Sequence, residues 1–359
     1  MITELEIQGY KGLKNVTLKG LKRMTLLGGR NNSGKTSVLE AFFLSRDWGN
    51  AEMLTRHLRW RGVEVFQTNS ESAWAPAFTN FELKGSKIQI RTRDPQGDRA
   101  TFTAQVIDAP TRNPPQPSVL QIGGTAQNIR APGEPALRLT FLLGSRPVYE
   151  AQITINQGVP SYLLVPSRLD ATAPPVSFVL ARQRTPASED AANFGKLDTE
   201  KRTEEIVSLV KIIDPKLVGL SVVPVGPISQ IYADVADIPK KIPVNLLGDG
   251  ITRLLSMLLH IANIPGGYLL VDEVENAFHH AAMPQIWQAL YAICKSQKCQ
   301  LIATTHSYEC VSAFASSLKE VAGEEFSYIR LDRKDGNVES ITYDSDELQN
   351  ATEAGWEVR

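Results

Sequence analysis

Residues Met24 to Leu27 form a continuous apolar run, the chain then reads GGRNNSGKTS, and SVLEAFFLSRDW after it has the texture of a helix. A buried strand, a glycine-rich turn and a helix in that order make a βα unit. Within the turn, GRNNSGKT satisfies G-x-x-x-x-G-K-[ST] at every position: Gly29, Arg30, Asn31, Asn32, Ser33, Gly34, Lys35 and Thr36, with Ser37 next. The two glycines let the backbone curl until its N–H groups point at phosphate oxygens, helped by the helix N-terminus. Lys35 brings a point charge to the β- and γ-phosphates, and the Thr36 hydroxyl is a ligand for Mg²⁺.

The rest of the chain divides by texture. Strand-like pieces open it, with Leu5 and Ile7, then Val16 and Leu18, alternating with polar neighbours. Residues 51–198 read as a β-rich lobe, with runs such as KIQIRTR, ATFTAQVI, LRLTFLL and YEAQITI and a loop dense in Pro and Gly between them. From about Thr199 helical periodicity returns, and TEEIVSLVKIIDPKL puts Ile206, Leu209, Val210 and Ile213 on one face. Beyond residue 245, apolar helices alternate with the buried strands GGYLLVDEVE and CQLIATTH, which implies a parallel sheet covered on both faces. The fold class is therefore α/β, a P-loop NTPase with a mainly parallel core sheet flanked by helices. Residues 1–50 and 199–359 form that core, and 51–198 form the inserted lobe.

Polar residues at the ends of core strands carry the remaining chemistry. Tyr268 to Val271 end in Asp272-Glu273, at the carboxyl end where such sheets gather their catalytic groups. Asp272 can hold Mg²⁺, and Glu273 can accept a proton from an attacking water. Glu275 either lines the same site or serves as a salt-bridge or capping residue. His306 follows the next strand, where it can sense or hydrogen-bond the γ-phosphate. His279 and His280 lack the usual spacing of metal ligands and suit either a nucleotide or dimer contact or a purely structural role. Gly248, Asp249 and Gly250 open an apolar helix, either as an anion-receiving N-terminus or as a glycine-rich cap.

Taken in order, these elements resemble an ABC-type ATPase head, and in particular the stand-alone RecF/OLD-like AAA family of ATP-binding proteins. GRNNSGKTS resembles the Walker A motif, LLVDEVENAFHH the Walker B motif and the region after it, and TTHS the segment with the switch histidine. LGDGITRLL resembles the short signature motif. The likeness covers about the first 50 and last 160 residues and implies a homodimer that sandwiches ATP and Mg²⁺ head to tail. In that arrangement Gly248, Asp249 and Gly250 of one subunit face the γ-phosphate held by the other. The resemblance also makes Lys11 a phosphate-side candidate; Gln67 and Gln183 both fit a Q-loop glutamine, and neither is preferred.

Composition narrows the partners. With 38 Lys plus Arg against 39 Asp plus Glu, the chain has no general basic coat, so any contact with DNA needs a local patch. The candidate patch is LTRHLRWRG, where Arg56, Arg59 and Arg61 interleave with Trp60; such a stretch either grips nucleic acid or is a solvated face with a packed Trp. No uninterrupted apolar run of about 18 residues is present, so no membrane contact is expected. Three cysteines near the end fit neither a disulfide framework nor a zinc site, which points to the cytoplasm. The relatives implied by the resemblance serve in anti-phage defence or in DNA repair. With only two strands and a short acidic tail after the ATPase core, the expectation is a defence regulator acting on a separate effector protein. The alternatives are a DNA-binding repair ATPase and a nucleotide-dependent scaffold that does not hydrolyse.

Overall fold

A computed structural model describes residues 1–48, 50, 52–62, 70–108, 135–156, 159–165, 173–181 and 183–358. Strands β1 (Glu4–Tyr10), β2 (Leu13–Lys19) and β3 (Met24–Gly28) lead into α1 (Lys35–Leu44), α2 (Met53–Trp60) and α3 (Ser70–Trp74). Next come β4 (Lys87–Arg93), β5 (Arg99–Asp108), β6 (Pro135–Leu143), β7 (Arg146–Asn156), β8 (Val159–Val165) and β9 (Val176–Val179). Helices α4 (Ala187–Thr199) and α5 (Thr203–Lys211) precede β10 (Leu217–Val225), β11 (Ile228–Val235) and β12 (Ile242–Pro243). The chain continues through α6 (Asp249–Ala262), β13 (Tyr268–Val271), α7 (Met283–Ser296) and β14 (Gln300–Thr304). It finishes with α8 (Tyr308–Ala322), β15 (Phe326–Lys334), β16 (Asn337–Tyr343) and α9 (Ser345–Glu353).

The core sheet has the order β16-β15-β3-β14-β13-β9, parallel throughout except for the antiparallel edge strand β16. Its central strands are apolar at nearly every position because both faces are covered. Leu26, Leu269, Val271, Leu301 and Ala303 pack into one hydrophobic cluster, whereas Leu27, Leu270 and Ile302 pack into the other. Period-two alternation thus sorts side chains to opposite faces without any polar face to mark it.

Sheet membership cuts across the expected division at residues 50 and 198. β1 and β2 belong to a 7-stranded antiparallel sheet, β2-β1-β4-β5-β6-β7-β8, with the strands of the insertion. β1 pairs with β4 from Glu4↔Arg93 to Gln8↔Gln89, so the opening hairpin is the foundation on which the insertion is built. At the other boundary β9 is an edge strand of the core sheet, and α4 packs on α6 and β11. The core resumes near residue 176 because Val176–Val179 find parallel partners in Tyr268–Val271. The Pro- and Gly-rich segment 109–134 lies outside the described residues.

Candidate functional site

β3 delivers the chain to the glycine-rich turn with all five residues buried. Gly29 and Gly34 adopt φ of 132° and 99°, backbone that L side chains rarely take. Space forbids a side chain as well: a Cβ on Gly29 would lie 2.3 Å from the Leu331 carbonyl oxygen, and one on Gly34 would lie 2.9 Å from Leu13. Arg30, Asn31 and Asn32 are exposed on the loop, while the Ser33 hydroxyl is buried without a hydrogen-bond partner. Lys35 is 9% exposed, and its Nζ donates to the carbonyls of Gly29 at 2.7 Å and Arg30 at 3.0 Å. Burial lowers the Lys35 pKa, opposed by the nearby charges of Asp272, Glu275 and Glu273.

Strand pairing carries Thr36 and Asp272, 236 positions apart, into contact. The Thr36 hydroxyl lies 3.1 Å from both oxygens of the Asp272 carboxylate. The Thr304 hydroxyl, at the end of β14, donates to Asp272 Oδ1 at 2.6 Å and accepts the Glu273 backbone N–H at 2.8 Å. Burial raises the Asp272 pKa, and the hydrogen bonds from Thr304 and Thr36 work against that rise. These oxygens fit a hard divalent cation: a hydroxyl and a carboxylate converge beside a loop shaped for phosphates, which would supply further oxygen ligands.

Glu273 turns sharply away from the strand with φ of 47°, a strained conformation for a residue with a side chain. Its carboxylate accepts from Asn276 Nδ2 at 2.9 Å. His306 Nδ1 lies 3.1 Å from Glu275 Oε1 and 3.8 Å from Glu273 Oε1. The Glu275 carboxylate also accepts the His306 backbone N–H at 2.9 Å, so this residue belongs to the site and anchors the histidine. Sequence reading missed Thr304 and Asn276, although each sits within three residues of a residue it did single out.

It also missed Arg253. From the second turn of α6 its guanidinium donates to the carbonyls of Asp272 at 3.0 Å, Glu273 at 3.1 Å and Leu180 at 3.3 Å. The helix that opens with Gly248, Asp249 and Gly250 is thereby tied to the backbone of the acidic pair. Gly250 packs tightly there, since a Cβ would meet the Ala277 carbonyl oxygen at 3.0 Å. Asp249 pairs with Arg184 at 2.6 Å on the surface. Among the described residues, no hydrogen bond or ion pair links Gly248–Gly250 to the glycine-rich loop of the same chain.

Other candidates find different surroundings. Lys11 pairs with Glu40 of α1 at 2.5 Å, and Arg61 reaches the same buried carboxylate at 3.1 Å. Burial lowers the Lys11 pKa to about 8. Lys11 therefore stands against the helix behind the loop rather than in hydrogen-bonding contact with it. Arg56 pairs with Asp47, and Trp60 packs edge-on against Phe43 and Phe178, each 4.9 Å between ring centroids. The exposed His279 caps a short helical turn by accepting the Ala281 N–H, its ring 4.2 Å from that of His280. Gln183 is exposed between β9 and α4, and Gln67 lies outside the described residues.

Residues 159–312 match the family described as "AAA domain, putative AbiEii toxin, Type IV TA system", and residues 1–91 match the family described as "AAA ATPase domain". The fold is similar to a crystal structure of the SMC head bound to the C-winged helix domain of ScpA. That likeness has a TM-score of 0.54 at 12% identity and covers 98% of this chain and 99% of that one. Both family matches are to AAA ATPase domains, and the fold is that of an ABC-type ATPase head, so the chain is similar to ABC-type AAA ATPases. A relative of this chain, the "ATP/GTP phosphatase" of Helicobacter pylori, is 20% identical over 342 residues, 89% of each chain. An uncharacterised protein of Methanocaldococcus jannaschii is 30% identical over 112 residues, covering 26% of this chain and 51% of its own length. Among the described residues, no helix is long and apolar enough to cross a membrane.

Proposed function

We propose that this chain binds ATP with Mg²⁺ and hydrolyses it. The observation that carries the reading is the convergence of Thr36, Asp272, Glu273 and His306 at the ends of three neighbouring strands. Lys35 and the backbone amides of residues 29–34 bind the phosphates; Thr36 and Asp272 hold the cation, which neutralises charge on the phosphates when bound. Glu273 takes the proton of the attacking water, with Asn276 and the turn at φ 47° fixing its direction. His306, held by Glu275, faces the phosphate end. Glu273→Gln keeps the shape and removes the base. Nucleotide affinity should stay within about twofold while turnover falls by about 10²-fold or more. Wild-type turnover in that variant would refute Glu273 as the base.

The working unit is a homodimer in which Gly248, Asp249 and Gly250 complete the partner's site. The lack of any hydrogen bond or ion pair from this segment to its own loop, among the described residues, supports that arrangement. The chain then acts in the cytoplasm as the nucleotide-gated regulator of a defence system with a separate effector protein; the AbiEii toxin description of the matched family supports the defence setting alone. DNA is the weaker partner reading, because Arg56 and Arg61 of the basic–aromatic stretch are engaged by Asp47 and Glu40.

A further inference from the structure

A cleft of about 570 Å³ opens where α1 ends and two hairpin turns of the antiparallel sheet come together. Ile2, Thr92, Ala100 and Val148 contribute to its walls, Arg46 and Asp94 line it, and Asp98, Arg99 and Arg146 stand at its exposed rim. Lys35 begins α1 and Arg46 follows its end, so the cleft lies about 15 Å from the phosphate loop, the length of ten helical residues. β13 runs the opposite way between the same two ends: its first residue, Tyr268, lies 5.4 Å beneath the Arg46 guanidinium, and Asp272 follows its last. Cleft and nucleotide site occupy opposite ends of shared elements.

Arg46 is the unusual group. It is 6% exposed, yet among the described residues no carboxylate comes within ion-pair distance of it. It donates to the Thr92 hydroxyl, and its buried Nε has no partner. Asp94, the nearest acidic influence, accepts the N–H groups of Gln96 and Asp98 at 3.0 and 2.9 Å within its own turn. A guanidinium cannot escape burial by losing its proton, and a buried charge without a counter-charge is costly. Arg99 and Arg146 also have no ion pair among the described residues. Three guanidinium groups outnumber the two carboxylates around the cleft, and the innermost, short of an acceptor, matches the oxygens of a phosphate group. The volume is in the range of small-molecule sites. We infer that the Arg46 cleft is a second ligand site, separate from the nucleotide site, for a phosphorylated small molecule.

Equilibrium dialysis with labelled pyrophosphate tests this on the full chain. Lys35→Ala disables the phosphate loop, so the inference expects this variant to retain one saturable site per chain. Adding Arg46→Met, or the exposed pair Arg99→Ser and Arg146→Ser, should weaken that site by about tenfold or more, the loss of a charge-assisted hydrogen bond. The exposed pair leaves the interior intact and decides the matter if Arg46→Met does not fold. Absence of saturable binding in Lys35→Ala would overturn the inference, as would undiminished binding in the exposed double variant. Citrate bound in preference to pyrophosphate would overturn the assignment to phosphate.

Discussion

Thr304 illustrates how much of the site hangs on single hydroxyls. It gives Asp272 its shortest hydrogen bond, 2.6 Å, and accepts the backbone N–H of Glu273. Thr304→Val preserves shape and removes both interactions. The loss should cost about 1–3 kcal/mol in stability, since a donor buried beside the strand end is left unpaired. It should also push the Asp272 pKa further up, because the hydrogen bond from Thr304 is one of the forces holding it down. Binding of Mg²⁺-nucleotide should then weaken more as pH falls than it does in the wild type. Parallel titrations at two pH values, together with a urea unfolding curve, measure both effects. Equal affinity and equal stability in the two proteins would remove Thr304 from the supporting set. Residues of this kind evade a motif: a threonine ending a buried strand reads as ordinary β-propensity, whereas Lys35 is conspicuous between glycines.

At the scale of elements, α4 and α6 are joined by a buried acid. Asp190 accepts from Ser256 at 3.0 Å, and burial raises its pKa to about 7. Its folded pKa thus stands above the ordinary value of 3.8, so the native state holds a proton that the unfolded chain releases. The stabilisation is full below the unfolded pKa and disappears as pH rises through about 7, at up to about 1.4 kcal/mol per pH unit. Asp190→Asn stays neutral and can still accept from Ser256. Its urea midpoint should lose less than the wild type's between pH 4 and 8, and parallel pH profiles would refute the buried-acid account. This contact was not legible in the sequence, because an acid in the first turn of a helix ordinarily reads as a solvent-facing dipole partner. The βα unit, the acidic strand end and the parallel core were legible, since each is a local pattern with a fixed geometry. The pairing of β1 with β4, whose partners lie 81 to 89 positions apart from Gln8↔Gln89 to Glu4↔Arg93, was not: β strands do not state their partners, and an antiparallel hairpin at the N-terminus looks the same on either sheet.

The whole molecule matters for turnover if two subunits share each site. Lys35→Ala lacks the phosphate cation, and Gly250→Glu would set a carboxylate against the partner's γ-phosphate. Each alone should be nearly inactive, and a mixture should regain activity because one site in the heterodimer receives an intact loop and an intact signature. Gly250→Ala is the necessary control, since a Cβ there already presses on Ala277 and Phe278 within its own chain. Heterodimers that form without any return of activity, while either variant hydrolyses normally alone, would make each chain a self-sufficient ATPase.

The parallel core also sets a timetable for synthesis. Gly29 to Thr36 leave the ribosome early, yet β3 sits between β14 and β15, which end at Thr304 and Lys334. At roughly 5–20 residues per second, the chain from Gly28 to Thr304 takes roughly 15–55 s to make. During that interval the five buried residues of β3 have neither permanent neighbour, so the phosphate loop has no fixed frame. A growing chain can raise its opening hairpin against β4 long before Asp272 and Thr304 have been made. Nucleotide can therefore meet a framed phosphate loop only on a chain whose core strands through β14 have been made, which keeps shorter nascent copies out of the working pool.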